Sequence, residues 1–163
     1  MPLRGPFFTI AGLVPKKAGV LTLIGDMLKG LVAVLIARAF TDEPAVLAGV
    51  VLAAFLGHLY PVYFDFRGGK GVATAFGVLA ILHWPTALVL GALWVLVFVS
   101  TRFSSLASIV TFFLTPFGIL LTHGEVFYPV LILSLILLWR HRHNLILLLR
   151  GREQGFRRTP PLE

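Results

Sequence analysis

The feature that most limits this chain is a succession of long apolar runs with almost no polar relief. Residues 45–56 and 126–139 are nearly unbroken stretches of Val, Leu, Ile, Ala and aromatic side chains. Neither run alternates with period two, so helices are favoured over the wall of a β-barrel. Of the 163 residues, 58% are hydrophobic and 13% charged, where a soluble domain has about 45–50% and about 25%. So short a chain has no interior large enough to hide that surface from water. Lipid as the solvent removes the difficulty, provided the backbone pairs with itself inside helices. The sequence therefore predicts an all-α, polytopic integral membrane helical bundle.

Six apolar segments are legible, at 18–40, 45–61, 72–83, 86–101, 106–122 and 126–139. A spanning helix needs about 20 residues, so the third and sixth are short and either extend into their flanks or are re-entrant. The connections alternate in charge. Arg4, Lys16 and Lys17 precede the first segment, and Thr-Asp-Glu-Pro follows it. The third connection is His-Trp-Pro and the fifth His-Gly-Glu. Arg67 and Lys70 lie in the second and Arg102 in the fourth, and six arginines from Arg140 to Arg158 occupy the tail. The bias of bases toward the cytoplasm then predicts six crossings with both termini cytoplasmic. The expected organisation is a single membrane domain over 1–163, with an N-terminal cytoplasmic segment at 1–17 and a basic cytoplasmic tail at 140–163. Residues 1–17, broken by Pro2, Pro6 and Pro15, lack the apolar core of a signal peptide.

The net charge of +7 marks membrane sidedness and not a nucleic-acid face, because the bases sit between apolar runs. The absence of cysteine excludes disulfides, thiolate nucleophiles and cysteine-ligated metals. The histidines show no HExxH-like spacing, and no metal is expected. His83 and His123 fall on the non-basic side and are read as interfacial.

The chemistry concentrates in GHLYPVYFDFRGGKGVAT at 57–74. Glycines 68, 69 and 71 around Lys70 let the backbone turn tightly and expose successive N–H groups, which is how a nest binds anions. A helix starting near Val72 would aim its positive end at the same place. The GxxxxGK[ST] spacing of a P-loop is missing, and a basic turn obeying the charge bias is the plainer alternative. Asp26 and Lys29, spaced i, i+3 within an apolar segment, suit a structural ion pair that pins the bundle or, alternatively, a direct contact with substrate. Ser104, Ser105 and Ser108 lie at a helix entrance, as caps or as phosphate ligands. Arg140-His141-Arg142-His143-Asn144 is either a charge anchor or, given its histidines and asparagine, a source of proton-transfer groups.

These pieces together resemble the PlsY family of bacterial acyl-phosphate:glycerol-3-phosphate acyltransferases. The central signature is matched by Gly57-His58-x-Tyr60-Pro61 and by residues 66–74. Lys16-Lys17-Ala18-Gly19 with Asp26-x-x-Lys29-Gly30 resembles the family's second helix, and Ser105-Leu106-Ala107-Ser108 its serine motif. His141-Arg142-x-Asn144, with Gly151 and Glu153 downstream, resembles its C-terminal signature. The resemblance covers roughly residues 16–155. It implies transfer of a fatty acyl group from acyl phosphate to glycerol 3-phosphate in the bacterial inner membrane. Lysophosphatidic acid and phosphate are the products, made without cofactor or metal as the first step of phospholipid synthesis. The implied catalytic residues are His58, Lys70, Ser105, His141 and Asn144, with Arg67, Gly68, Gly69, Gly71, Ser108 and Arg142 binding substrate. The hydroxyl proton passes to a substrate phosphate, or else to His58 or His141. Implied partners are the two substrates and membrane lipid, with no nucleic acid; oligomeric state is not readable.

Two departures carry an expectation of their own. The family's first helix and its Ser-Gly-Asn-x-Gly-Ala-Thr-Asn-x-x-Arg loop have no counterpart, and 5–12 reads Gly-Pro-Phe-Phe-Thr-Ile-Ala-Gly. His143 and Leu147 stand where an acidic residue and an arginine are common. The expectation is that the chain alone turns over little. The alternative is a non-catalytic membrane protein on the same scaffold that binds phosphate compounds or lysophospholipid. A transporter is disfavoured, because segments 86–101 and 126–139 carry almost no polar residues.

Overall fold

The computed structural model describes residues 16–122 and 124–155, and every described regular element is helical. Seven α-helices follow in order: α1 Lys16–Phe40, α2 Pro44–Leu59, α3 Val72–Leu82, α4 Trp84–Thr101, α5 Ser104–Thr122, α6 Phe127–Arg140 and α7 Arg142–Leu149. Short 3-10 turns occupy Val62–Phe64 and Gly124–Val126. All six apolar segments are thus helices, with boundaries within a few residues of those expected.

Punctuation explains the boundaries. Pro44 and Pro85 stand in the first turns of α2 and α4, where the missing N–H costs nothing. His83 caps α4 by accepting from the Thr86 amide. Arg102 closes α4 in the left-handed conformation, with φ of 63°.

By length and apolarity alone, not every one of the six segments qualifies as a full crossing. Among the described residues, four stretches are long and apolar enough to cross alone: Ala18–Phe40, Pro44–Phe64, Trp84–Thr101 and Ser104–Thr122. Helices α6 and α7 add a fifth if taken as one span, broken by a 53° bend. Helix α3 has 11 residues, about 16 Å at 1.5 Å per residue, against a hydrocarbon core of about 30 Å. A glycine loop before it and the His83–Pro85 break after it leave no room for extension. The segment after Trp139 also differs from a plain tail, since 142–149 forms a helix.

The burial pattern is that of a protein dissolved in lipid. Leu21, Phe40, Leu121 and Leu149 are among many large apolar side chains turned outward. The core is built around α3, none of whose residues is exposed. Val78, Leu79 and Ala75 meet Val34 of α1, Val51 and Phe55 of α2, and Phe112 of α5. Helices α1 and α3 touch backbone to backbone. A Cβ at Gly77 would strike the Met27 carbonyl, and one at Gly30 the Thr74 carbonyl. Only glycine permits that approach, as at the small-residue interfaces of membrane helices.

Candidate functional site

The polar groups of one end of the bundle converge on the loop between α2 and α3. Its path is unusual from the start. Asp65 and Phe66, neither a glycine, both adopt positive φ, at 52° and 59°. Such residues cost of order 1–3 kcal/mol each and persist where the surroundings over-determine them. The Phe66 amide donates to the Pro61 carbonyl and the Gly68 amide to Leu59, both at 3.1 Å. Gly71 has φ of 86° and sits against the Phe55 ring, so a side chain there would be strained and obstructed. The loop then delivers the chain into α3 with its first amides pointing outward.

Two helices hold the loop from beneath. His58 of α2 lies directly under Gly69, where an added Cβ would sit 2.5 Å from the His58 Nε2. The other ring nitrogen faces Asp26 of α1, 3.4 Å from Oδ1. That carboxylate oxygen also accepts from Lys29 at 2.8 Å, so the expected Asp26–Lys29 pair is present and extends to His58. Thr74, in the first turn of α3, donates to the Asp26 backbone carbonyl at 2.9 Å.

A chain of hydrogen bonds crosses the top. Lys70 Nζ donates to Asn144 Oδ1 at 2.7 Å. Asn144 Nδ2 donates to Glu153 Oε1 at 2.7 Å, and Ser105 Oγ donates to the same oxygen at 2.6 Å. Residues far apart in sequence, from the glycine loop, α5, α7 and the segment after it, are thereby joined. Lys70 keeps contact with solvent, yet its amine is partly desolvated. That burial pushes its pKa below the usual 10.5, with nearby Glu153 opposing and Arg140 adding to the shift.

His141, at the bend between α6 and α7, is buried. Its Nδ1 donates to the Leu137 carbonyl at 2.9 Å, because a carbonyl only accepts; the lone pair is then on Nε2. Arg140 Nη2 donates to the Gly68 and Gly69 carbonyls at 3.2 and 2.9 Å. Its guanidinium lies 5.5 Å from the centre of the Tyr60 ring.

Five of the residues singled out from sequence thus share one network or loop: Lys70, Ser105, Asn144, Gly68 and Gly69. His58 supports the loop, with Gly71 at its end. Ser108 is spent within the bundle, accepting from the Trp94 indole at 3.0 Å and donating to the Ser104 carbonyl at 2.8 Å. Arg142 lies over the Trp139 ring at 4.6 Å and donates to its carbonyl. Arg67 is exposed at the loop's edge. Two participants, Arg140 and Glu153, lie outside the expected site residues. In sequence Arg140 belongs to the basic cluster beside His141 and Glu153 to the C-terminal signature, and neither has a local signal for the contacts it makes.

Residues 1–15, where the N-terminal departure falls, lie outside the described residues, as do His123, Arg157 and Arg158. Among the described residues no cluster of three His, Asp, Glu or Cys side chains is placed to hold a metal ion. An apolar crevice of about 250 Å³ lies between α5 and α6, lined by Phe112, Phe117, Phe127 and Leu138 among others.

A family model described as glycerol-3-phosphate acyltransferase matches residues 9–151. A glycerol-3-phosphate acyltransferase of Pseudomonas entomophila is 46% identical over 144 residues, covering 88% of this chain and 76% of that one. One from Thioalkalivibrio sulfidiphilus is 49% identical over 140 residues, covering 85% and 69%. Two crystal structures of PlsY, described as an integral membrane glycerol 3-phosphate acyltransferase, superpose well. The glycerol 3-phosphate form gives a TM-score of 0.84 at 36% identity, covering 90% of this chain and 75% of that one. The lysophosphatidic acid form gives 0.81 at 38%, covering 86% and 74%.

Proposed function

Because the chain belongs to the glycerol-3-phosphate acyltransferase family, we propose that it transfers a fatty acyl group from acyl phosphate to glycerol 3-phosphate, releasing lysophosphatidic acid and inorganic phosphate. It is a multi-pass membrane acyltransferase, and the observation that carries the finer reading is the loop at 66–71. Both proposed substrates bear phosphate, and this loop offers glycine amides, a helix N-terminus and Lys70 in one place. The acyl donor brings a long apolar chain, which suits a site at the edge of a membrane bundle. The α5–α6 crevice offers an apolar wall of the kind such a chain needs.

Little covalent chemistry is asked of the protein. The glycerol hydroxyl oxygen attacks the acyl carbonyl carbon, a new C–O ester bond forms, and the bond to the phosphate oxygen breaks. The phosphate leaves with the bonding pair. The hydroxyl proton goes to a substrate phosphate oxygen or to His141, whose Nε2 carries a lone pair. His58 is the further candidate, although its ring is tied to Asp26 and Gly69. Catalysis then consists of aligning two anions and offsetting the charge that develops on the carbonyl oxygen. Lys70 supplies the cation, Ser105 and Asn144 supply polar contacts, and Arg67 and Arg142 add positive field at the rim. Gly68, Gly69 and Gly71 let the backbone approach, and Ser108 keeps the α4–α5 contact. The chain is read as one membrane domain in the bacterial inner membrane, with the site and both termini facing the cytoplasm. No cofactor or metal is invoked.

The test is phosphate release from palmitoyl phosphate and glycerol 3-phosphate by purified protein. It is run on the 163-residue chain and on one carrying a family-type first helix and loop ahead of Lys16. Turnover in either, lost in Lys70→Ala, supports the reading. Turnover in neither, with glycerol 3-phosphate still bound, would favour the non-catalytic scaffold instead.

A further inference from the structure

We infer that Arg140 is a positioning residue: by holding the Gly68 and Gly69 carbonyls, it turns the Gly69 and Lys70 amides toward the phosphate of glycerol 3-phosphate. The inference rests on the reading of the loop as a phosphate site given above. One guanidinium nitrogen, Nη2, donates to both carbonyls, at 3.2 and 2.9 Å. All described peptides are trans, and in a planar trans peptide the C=O and N–H point in opposite directions. The Gly68 carbonyl shares its peptide unit with the Gly69 amide, and the Gly69 carbonyl with the Lys70 amide. Drawing both carbonyls to one cation therefore leaves both N–H groups on the far side of the loop. Among the described residues neither amide donates to a backbone or side-chain acceptor.

Such a restraint has a reason. Glycine peptides rotate freely for want of a Cβ, so a glycine loop presents carbonyl oxygens as readily as amides. A carbonyl turned to the ligand would repel a phosphate where an amide would bind it. The guanidinium removes the wrong face and offsets its negative potential at once. Its own position is fixed, since Arg140 ends α6 and its guanidinium stacks near Tyr60, 5.5 Å from the ring centre. Nη2 carries two hydrogens and serves both carbonyls while the planar guanidinium lies against the Tyr60 ring, a combination that a lysine ammonium does less well. Because Arg140 adjoins His141 in sequence, the same contact registers the loop against the bend that carries His141.

The experiment compares wild-type protein with Arg140→Met and Arg140→Lys, purified in detergent. Affinity for glycerol 3-phosphate is measured by calorimetry, and amide exchange of residues 66–70 is followed without ligand. Arg140→Met is expected to bind roughly tenfold or more weakly. It should also exchange the Gly68 amide, which donates to Leu59 at 3.1 Å, faster than wild type. Arg140→Lys should recover part of both. Tyr60→Leu, which removes only the stacking ring, should move both readouts the same way by less, and replaces Arg140→Met should that variant not fold. Unchanged affinity overturns the inference. Weaker affinity with unchanged loop exchange also overturns it, because Arg140 would then touch phosphate directly. A wild-type protein that binds no glycerol 3-phosphate overturns the reading of the loop itself, a distinct result.

Discussion

The two ends of the bundle both carry hydrogen-bonded polar clusters, and they differ in kind. At the end away from the glycine loop, His83 Nδ1 meets Thr86 Oγ1 at 2.8 Å, and Thr86 meets Thr122 Oγ1 at 3.2 Å. That cluster joins a histidine to two threonines, and its business is capping α4 and tying it to α5. At the other end Lys70, Asn144, Glu153 and Ser105 are joined across the length of the chain, with a lysine, an arginine and a carboxylate among them. The backbone of the loop there also takes positive φ at two non-glycine positions, Asp65 and Phe66. A polar cluster that merely finishes a helix needs neither charge nor strain, so their coincidence is what separates a site from a cap.

The sharpest way to break that contrast is to ask which end faces the cytoplasm. The chain has no cysteine, so single cysteines are unambiguous reporters. Glu43→Cys, at the capping end, is expected to react with an impermeant thiol reagent on intact cells, and Gly155→Cys to react only after lysis. The reverse pattern would place the site outside.

Substitution at the loop comes next in size. Lys70→Ala removes the charge, and Gly69→Val pushes a branched side chain into the His58 ring. Each should weaken use of glycerol 3-phosphate by roughly 10- to 150-fold, the equivalent of about 1.5–3 kcal/mol, with the fold intact by melting. Normal kinetics in both would move phosphate recognition elsewhere.

A smaller effect lies in pH. Burial lowers the Lys70 pKa below 10.5, so the charged amine is present at low pH and is lost as pH rises through that lowered value. Affinity for glycerol 3-phosphate should accordingly fall on the alkaline side earlier than an ordinary lysine would dictate. Lys70→Arg, which stays protonated, should move the decline to higher pH; an unmoved limb would show another group titrating.

The smallest expected change is at the opposite end. Thr86→Val should cost about 1 kcal/mol of stability and leave the KM for glycerol 3-phosphate within about twofold. A large KM effect there would mean the two clusters are coupled and the contrast between them is false.

Much of this was legible in sequence, for identifiable reasons. Apolar runs without period-two alternation announce helices, because lipid obliges the backbone to pair with itself and a barrel strand would alternate, and α1, α2, α4 and α5 lie where expected. The glycine–lysine loop was legible because glycine spacing and a helix start are local facts. Asp26 and Lys29 were read as a pair because i, i+3 is a helix distance. The extension to His58 was hidden, since it depends on α1 lying against α2. Arg140 was hidden differently: a basic residue after an apolar run has an adequate explanation as an anchor, and its carbonyl contacts exist only once α6 is docked. Glu153 carried no local signal as an acceptor for Ser105 and Asn144. Helix α7 was missed because the basic cluster before it masks the apolar run at 145–149.

The short helix behind the glycine loop has one more consequence. Helix α3 has no exposed residue and is locked to α1 by backbone contact at Gly30 and Gly77. Its neighbours meet the acyl chains directly and must tilt or stretch as a bilayer thickens, thins or stiffens. Helix α3 is buried or half-buried along its whole length. The phosphate loop is therefore mounted on the element most insulated from the fluid around it, much as an instrument is fixed to bedrock beneath a moving floor. A cell that retailors its lipids with temperature alters the surroundings of nearly every other helix while leaving that mounting undisturbed.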